Sequence, residues 1–468
     1  MRKTKIVCTI GPASSPPRMV RRLVPIVDVF RINFSHGDRA SHVQEIGTIR
    51  KEARRGGRTI AILQDLPGPK TRVGRIAGGV VNLPTGSQVL LTSDDVEGTA
   101  SLIPIGNPDL LTSVGRGDVL YLADGIIRLR VEEPVAAGAR CTVLAGGVLS
   151  SGKGVNAPGV KLKVEYPTKK DIEHLSLGLR LGVDYVAMSF LRTPSDVRAV
   201  RKLIPSDGPK LIAKIEKKEA VQNLQGILDQ SDGAMVARGD LGIEVPIETV
   251  PAIQKRIIGR CNRAGKPVIV ATQMLLSMVN SPVPSRAEVT DVSTAILDGT
   301  DAVMLSEETT VGKYPFEAVR MLDRIARSTE KSLQSYAHRS VETETKDTAS
   351  AIARAACRLA DYVGAKAIVA PTKTGSTARR VSMYHPQQPI VAICTDRRVA
   401  RELKMYWGVI PTPSRNAKTI DWLFERADEA AEELRLAKRG ERIVVTSGTP
   451  GMKGTTNLIK VSVVGSRA

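Results

Sequence analysis

The chain is poor in aromatic residues: five Phe, two Trp and eight Tyr make up 3% of its 468 positions. Proteins that grip single-stranded nucleic acid need rings on which bases stack, and this sequence offers few. It has five cysteines, at 8, 141, 261, 357 and 394, an odd number with no CxxC pair. That speaks against a disulfide framework or a zinc knuckle, and for reduced thiols and a cytoplasmic location. No apolar run approaches the ~18 residues of a membrane-spanning helix. The opening MRKTKIVCTIGP passes into a strand pattern without a leader-peptide core. There is no GxxxxGKS/T loop, no HExxH pair and no GxGxxG turn after a strand, so any nucleotide is expected to be held by other means.

What is present is an ordinary globular balance with a basic excess. Hydrophobic residues at 42% and charged residues at 25% exclude disorder, collagen and coiled coil as the main state. Lys plus Arg number 68 against 48 Asp plus Glu, a net charge of +20. Such a charge suits a nucleic-acid binder. Here, however, the basic residues are scattered, with local enrichment only at 50–58 (RKEARRGGR), and an acidic helix is expected at 425–433 (ERADEAAEE). The reading is a protein with a basic surface and neither nucleic acid nor membrane as a partner. At about 150 residues each, the length suggests three domains.

Eight short Val/Ile/Ala-rich runs dominate the pattern: 5–11, 29–35, 59–66, 185–191, 210–216, 233–241, 267–275 and 302–309. Runs of this kind are strands buried on both faces. Helical stretches at 41–57, 169–182, 195–204 and 250–266 separate them, with Gly182 and Gly265 as stop signals and Ser195–Asp196 as a start. The expected fold is α/β: a (β/α)8 TIM barrel, 1–69 plus 165–330, with an inserted small β-barrel domain at 70–164. A polar stretch at 338–348 then leads into a separate C-terminal α/β domain, 331–468.

Barrels carry function at the C-terminal ends of their strands. Those ends hold Arg31, Asn33, Ser35, Asp65, Ser189, Lys214, Glu216, Arg238, Gly239, Asp240, Thr272, Ser306 and Glu308. Residues two apart in a strand, such as Lys214 and Glu216, share a face. Polar groups at seven strand ends are hard to explain as core packing and indicate an active site. Asp and Glu without His or Cys suit a hard oxygen-ligand cation such as Mg²⁺. Lys214 and the arginines suit a phosphate-bearing substrate. Gly239 is a position where backbone can approach a ligand closely. The set fits phosphoryl transfer or enolate chemistry.

The strings KIVCTIGPAS, RINFSHG, GVNAPG, AKIEKKEAVQN, MVARGDLGIEVP, KPVIVATQM, RAEVTDV, ILDGTDAVMLSEET and TKTG run in order along the whole chain. Together they resemble the pyruvate kinase family. The resemblance implies transfer of the phosphoryl group of phosphoenolpyruvate to ADP, giving pyruvate and ATP, with Mg²⁺ or Mn²⁺ as cofactor. It implies that Lys214 stabilises the transferring phosphoryl group, and that Glu216 and Asp240 hold the metal. Arg31 would contact the substrate phosphate, while Gly239, Asp240 and Thr272 would grip the substrate carboxylate. Thr272 and Ser306 lie where the enolate is protonated, directly or through water. Asn33, Ser35, His36, Arg72 and Lys153 match the nucleotide region, with the inserted domain acting as a lid. A homotetramer is expected.

Two positions depart from the family pattern. Lys70, in DLPGPKTR, stands where most members have Glu, beside the family's potassium positions Asn33, Ser35, Asp65 and Leu66. The expectation is that the Lys70 ammonium replaces potassium, so the ion is not required. Glu307 stands where Gly is usual and is expected to be tolerated. In the C-terminal domain, the loop Thr372, Lys373, Thr374, Gly375, Ser376 and Thr377 reads as a cradle for a phosphorylated effector, with Arg379 and Arg380 close by.

Overall fold

The computed structural model describes residues 1–136, 138–160, 165–332, 347–414, 419–448 and 456–466. The eight apolar runs form eight parallel strands: β1 (Lys5–Thr9), β2 (Val29–Asn33), β3 (Ala61–Leu66), β4 (Tyr185–Met188), β5 (Lys210–Ile215), β6 (Gly233–Ala237), β7 (Val268–Ala271) and β8 (Ala302–Leu305). They close into a barrel in sequence order, with β8 pairing back onto β1. Side chains alternate between two apolar clusters. Ile6, Phe30, Ile62 and Val186 belong to the layer under the helices. Val7, Val29, Leu63, Tyr185 and Ile212 belong to another cluster, on the opposite strand face, which fills the barrel. The inward rows turn polar towards the C-terminal ends: Val29 is followed by Arg31, Leu63 by Asp65, and Ile212 by Lys214 and Glu216.

Local signals set the helix ends. Gly182 and Gly265, just past their helices, have left-handed φ of +65° and +63°. The helix read from Ser195 instead runs Pro194–Arg201, with Thr193 as its cap and Asp196 closing a capping box. Proline suits that first position because its missing N–H would have had no helical partner. The acidic helix spans Ile420–Glu433.

Between β3 and β4 lies a seven-stranded sheet running from Thr71–Arg72 to Leu102–Pro104, together with a two-stranded ribbon; its two edges meet where Val73 pairs with Ile105 and the Gly74 and Gly106 N–H groups donate to the Pro104 and Arg72 carbonyls at 2.8 and 2.9 Å. Both share one apolar core containing Leu83, Leu91, Leu120, Leu129 and Leu149. Residues 161–164, at the expected end of this insertion, lie outside the described residues, as does most of the polar stretch at 338–348.

Beyond Asp347 a five-stranded sheet forms, four strands parallel and the last antiparallel. This unit packs on the barrel's N-terminal face. Asp28 pairs with Lys404 at 2.6 Å and Asp184 with Arg401 at 2.6 Å, while the Trp407 N–H donates to Asp301 at 3.2 Å. The Tyr185 hydroxyl donates to the Glu402 carbonyl. The opposite mouth of the barrel is therefore left clear of the C-terminal unit. No helix among the described residues is long and apolar enough to cross a membrane, and all five cysteines are buried and unpaired.

Candidate active site

Inward polar residues from β2, β3 and β5 meet at the C-terminal mouth. The Lys214 ammonium donates to the Ser189 hydroxyl at 2.6 Å and lies 2.8 Å from Glu216 and 3.3 Å from Asp65. Arg31 donates to the other Asp65 oxygen at 2.6 Å and to the Thr9 hydroxyl at 3.1 Å. Ser189 also donates to Asp65, at 3.2 Å. Thr9, two residues after inward Val7, is a member that sequence reading does not single out; its signal is a polar residue ending an inward row.

Burial and charge compete at each group. For Lys214, burial opposes the charged form, but Asp65 and Glu216 outweigh it and push the ammonium up. Burial likewise opposes ionisation of Asp65, and Lys214 and Arg31 overcome it, holding the carboxyl below its usual range. Glu216 is 0% exposed. Burial, aided by the nearby Asp240 charge, pushes its carboxyl up despite Lys214. The Phe190 N–H donates to Glu216 at 2.6 Å. Two buried cations, Arg31 and Lys214, thus sit among the buried carboxyl groups of Asp65 and Glu216 and face partly exposed Asp240.

Asp240 lies in the short helix Arg238–Glu244, directly after β6. The Gly239 N–H donates to the Thr272 hydroxyl at 2.9 Å. Thr272, after β7, has a left-handed φ of +71°, and Gln273 follows at +54°. Arg238 fastens this turn: it donates to the Thr272 carbonyl at 2.7 Å and grips both oxygens of Asp291 at 2.7 and 2.8 Å. Its charge is therefore committed to positioning. Glu308 acts similarly, accepting from the N–H groups of Leu275 (3.0 Å) and Ser306 (2.8 Å) and tying the β7 and β8 loops together. Glu307 begins the short helix Glu307–Thr310 and is exposed.

Lys70 lies at the rim. Its ammonium donates to Asp240 at 3.0 Å and lies 5.3 Å from the centre of the Phe190 ring. Among the described residues its partner is Asp240, not Asn33, Ser35 or Asp65. The DLPGPK turn reaches this place because Gly68, at φ +64°, passes so close to Ser189 that a Cβ would lie 2.5 Å from the Ser189 carbonyl oxygen. Leu66 is buried at the end of β3. Asn33 accepts from the Ser35 N–H at 3.1 Å. His36 is exposed, and burial together with Arg72, Arg31 and Lys70 pushes its imidazole below the usual range. Arg72 donates to the Gly152 carbonyl at 3.0 Å, and Lys153 is exposed on the inserted sheet. The Thr372–Thr377 loop lies outside this group of residues, in the C-terminal unit: Lys373 and Thr374 are exposed, and the Thr377 hydroxyl bonds that of Thr456 at 2.9 Å.

Among the described residues, no three His, Cys, Asp or Glu side chains form a metal cage. The protein offers two carboxylates, Glu216 and Asp240, at the barrel mouth beside Lys214 and Lys70. That donor set fits Mg²⁺, which takes one or two carboxylates and completes its shell with water and phosphate oxygens.

An (α/β) barrel with lysine, arginine and two carboxylates at its mouth defines a phosphotransferase-type enzyme. A family profile described as "Pyruvate kinase, barrel domain" matches residues 1–319, and one described as "Pyruvate kinase, alpha/beta domain" matches 350–462. Relatives include pyruvate kinase of Staphylococcus saprophyticus (45% identical, 99% of this chain, 81% of the relative). Pyruvate kinase 2 of Synechocystis (46%, 99%, 79%) and pyruvate kinase of Geobacillus stearothermophilus (44%, 99%, 80%) are similar across the same span. The chain belongs to the pyruvate kinase family and has its phosphotransferase activity.

Proposed function

We propose that the mouth of the barrel transfers the phosphoryl group of phosphoenolpyruvate to ADP as follows. The Arg31 guanidinium and the Lys214 ammonium hold the substrate phosphate and stabilise charge on its equatorial oxygens as the bridging P–O bond breaks. The ADP β-phosphate oxygen forms the new P–O bond, which leaves the enolate of pyruvate. First-turn N–H groups of Gly239 and Asp240, with the Thr272 hydroxyl, hold the substrate carboxylate. Carbon 3 of the enolate then takes a proton by way of Thr272 and Ser306, directly or through water. Glu216 and Asp240 would hold the divalent ion, which supplies charge neutralisation between substrate and phosphate oxygens.

The observation that carries this reading is Lys214, whose buried ammonium is kept charged between Asp65 and Glu216. The inserted domain serves as a lid, bringing Arg72 and Lys153 towards the nucleotide beside Asn33, Ser35 and His36 and excluding water. Lys70 supplies the monovalent positive charge, so potassium is not required. Thr372–Thr377 cradles a phosphorylated effector, and the active form is a cytoplasmic homotetramer. A coupled assay with phosphoenolpyruvate and ADP tests the core of this reading. Activity is expected with Mg²⁺ or Mn²⁺ and is expected to vanish on chelation; Glu216→Gln should raise the divalent-ion requirement. Unchanged activity after chelation would overturn it.

A further inference from the structure

Ser189 takes no part in the steps above, yet it joins the Lys214 site to the root of the inserted domain. It directly follows β4 and, with Tyr185 and Ala187, continues that strand's inward row. It is 2% exposed. A hydroxyl has one proton to give and lone pairs with which to receive. The proton of Ser189 goes to Asp65 at 3.2 Å, and its oxygen accepts from the Lys214 ammonium at 2.6 Å. The ammonium then stands 2.8 Å from Glu216 and 3.3 Å from Asp65. The Ser189 contact is the shortest of the three. It therefore fixes where the charge comes to rest at the end of a flexible four-carbon stem.

The carbonyl of Ser189 faces the other way, towards the hinge. The chain leaves the barrel past Gly68 and returns through Tyr166. The Tyr166 hydroxyl donates to the Ser189 carbonyl at 3.1 Å. On the outgoing side, Gly68 lies so close that an added Cβ would come within 3.2 Å of the Ser189 Cβ. Asp171 clamps the two passages together. One of its oxygens accepts from the Gly68 N–H at 3.0 Å, the other from the Thr168 N–H at 3.0 Å and the Thr168 hydroxyl at 2.7 Å. The next residue, Phe190, has φ +57°, a left-handed value that is costly for a bulky side chain. That turn aims the Phe190 N–H at Glu216. Two neighbours of the lysine, the Ser189 hydroxyl and Glu216, are thus held by one tight turn, and its backbone bears on both chains of the hinge.

We propose that Ser189 is a positioning residue for phosphoryl transfer. Its hydroxyl sets the Lys214 ammonium between Asp65 and Glu216, and its carbonyl ties that setting to the hinge of the inserted domain. This rests on the reading of Lys214 as the group that stabilises the transferring phosphoryl charge. Ser189 itself touches no reacting atom; it acts through the lysine.

The test is steady-state kinetics of the full chain for Ser189→Ala, Lys214→Met and the double variant, each checked for folding by circular dichroism. Ser189→Ala is expected to lower kcat about 10- to 30-fold, with a smaller change in either KM. In the Lys214→Met background the same substitution should cost nothing further, because the group it positions is gone. A merely structural serine would lower both backgrounds by the same factor. Tyr166→Phe removes only the hydrogen bond from the hinge. It should lower kcat about two- to fivefold and add nothing to Ser189→Ala. Wild-type kcat in Ser189→Ala, or an equal loss on both backgrounds, would overturn the proposal and leave Lys214 in its role. Wild-type kcat in Lys214→Met would instead overturn the reading on which the proposal rests. No loss in Tyr166→Phe, or a loss that multiplies with that of Ser189→Ala, would strike out the tie to the hinge.

Discussion

Lys70 and Asp240 form an ion pair at 3.0 Å, each side chain 22% exposed, across the gap between the β3 turn and the helix after β6. A fixed ammonium thus stands next to a carboxylate proposed to hold the divalent ion. If that charge replaces a monovalent ion, the wild-type rate is the same in potassium, sodium or tetramethylammonium salts. Lys70→Met should lower kcat and make it respond to potassium. Strong potassium activation of the wild type would contradict this.

The left-handed turn at Thr272 depends on Arg238, which is locked by both oxygens of Asp291. Small misplacements of a reacting group cost about 10²-fold in rate. Asp291→Ala is therefore expected to reduce kcat by about 10- to 100-fold with a smaller change in the KM for ADP. Steady-state kinetics at saturating substrates would show it; an unchanged kcat would remove Arg238 from the positioning role.

A third expectation concerns stability. Burial pulls the Lys5 ammonium down to about 7, with Asp28 opposing and Lys404 and Arg2 adding to the fall. From pH 7 to the unfolded lysine value of about 10.4, the unfolded chain keeps a proton that the folded chain has released. Stability contributed by this site therefore rises with pH across that window. Lys5→Met, which removes the buried charge, should raise Tm at pH 7 by several degrees, and the difference should shrink as pH approaches about 10. Melting curves at several pH values test the sign.

The inserted sheet is fastened to the barrel by Glu244, which accepts from Asn156 at 3.2 Å and from Lys217 at 2.6 Å. If the insertion is a lid, Asn156→Leu loosens its closed position. The expected result is a several-fold higher KM for ADP with the KM for phosphoenolpyruvate little changed. Equal effects on both would argue against a role specific to the nucleotide.

The strands and the inward polar ends were legible because a barrel strand is a short run buried on both faces whose alternation continues into the site. Arg31, Asp65, Lys214 and Glu216 needed only that periodicity. Lys70 was legible as an unusual residue, but its partner was not, since Asp240 lies 170 positions away. The junction with the C-terminal unit was hidden for the same reason. Asp28, Asp184 and Asp301 each precede a strand and carry no sequence signal of their partners, Lys404, Arg401 and Trp407. Arg238 looked like a phosphate ligand because its charge was visible and Asp291 was not. The phosphate cradle at Thr372–Thr377 was read from a loop-plus-helix pattern alone.

The most direct test of the central claim is the kcat of Lys214→Met. The substitution takes away the ammonium that pairs with Glu216 and Asp65, and circular dichroism checks that the variant stays folded. Removing a group that stabilises transition-state charge predicts a loss of about 10²- to 10³-fold in kcat, with a smaller change in the KM for phosphoenolpyruvate. A folded Lys214→Met enzyme with wild-type kcat would contradict the account.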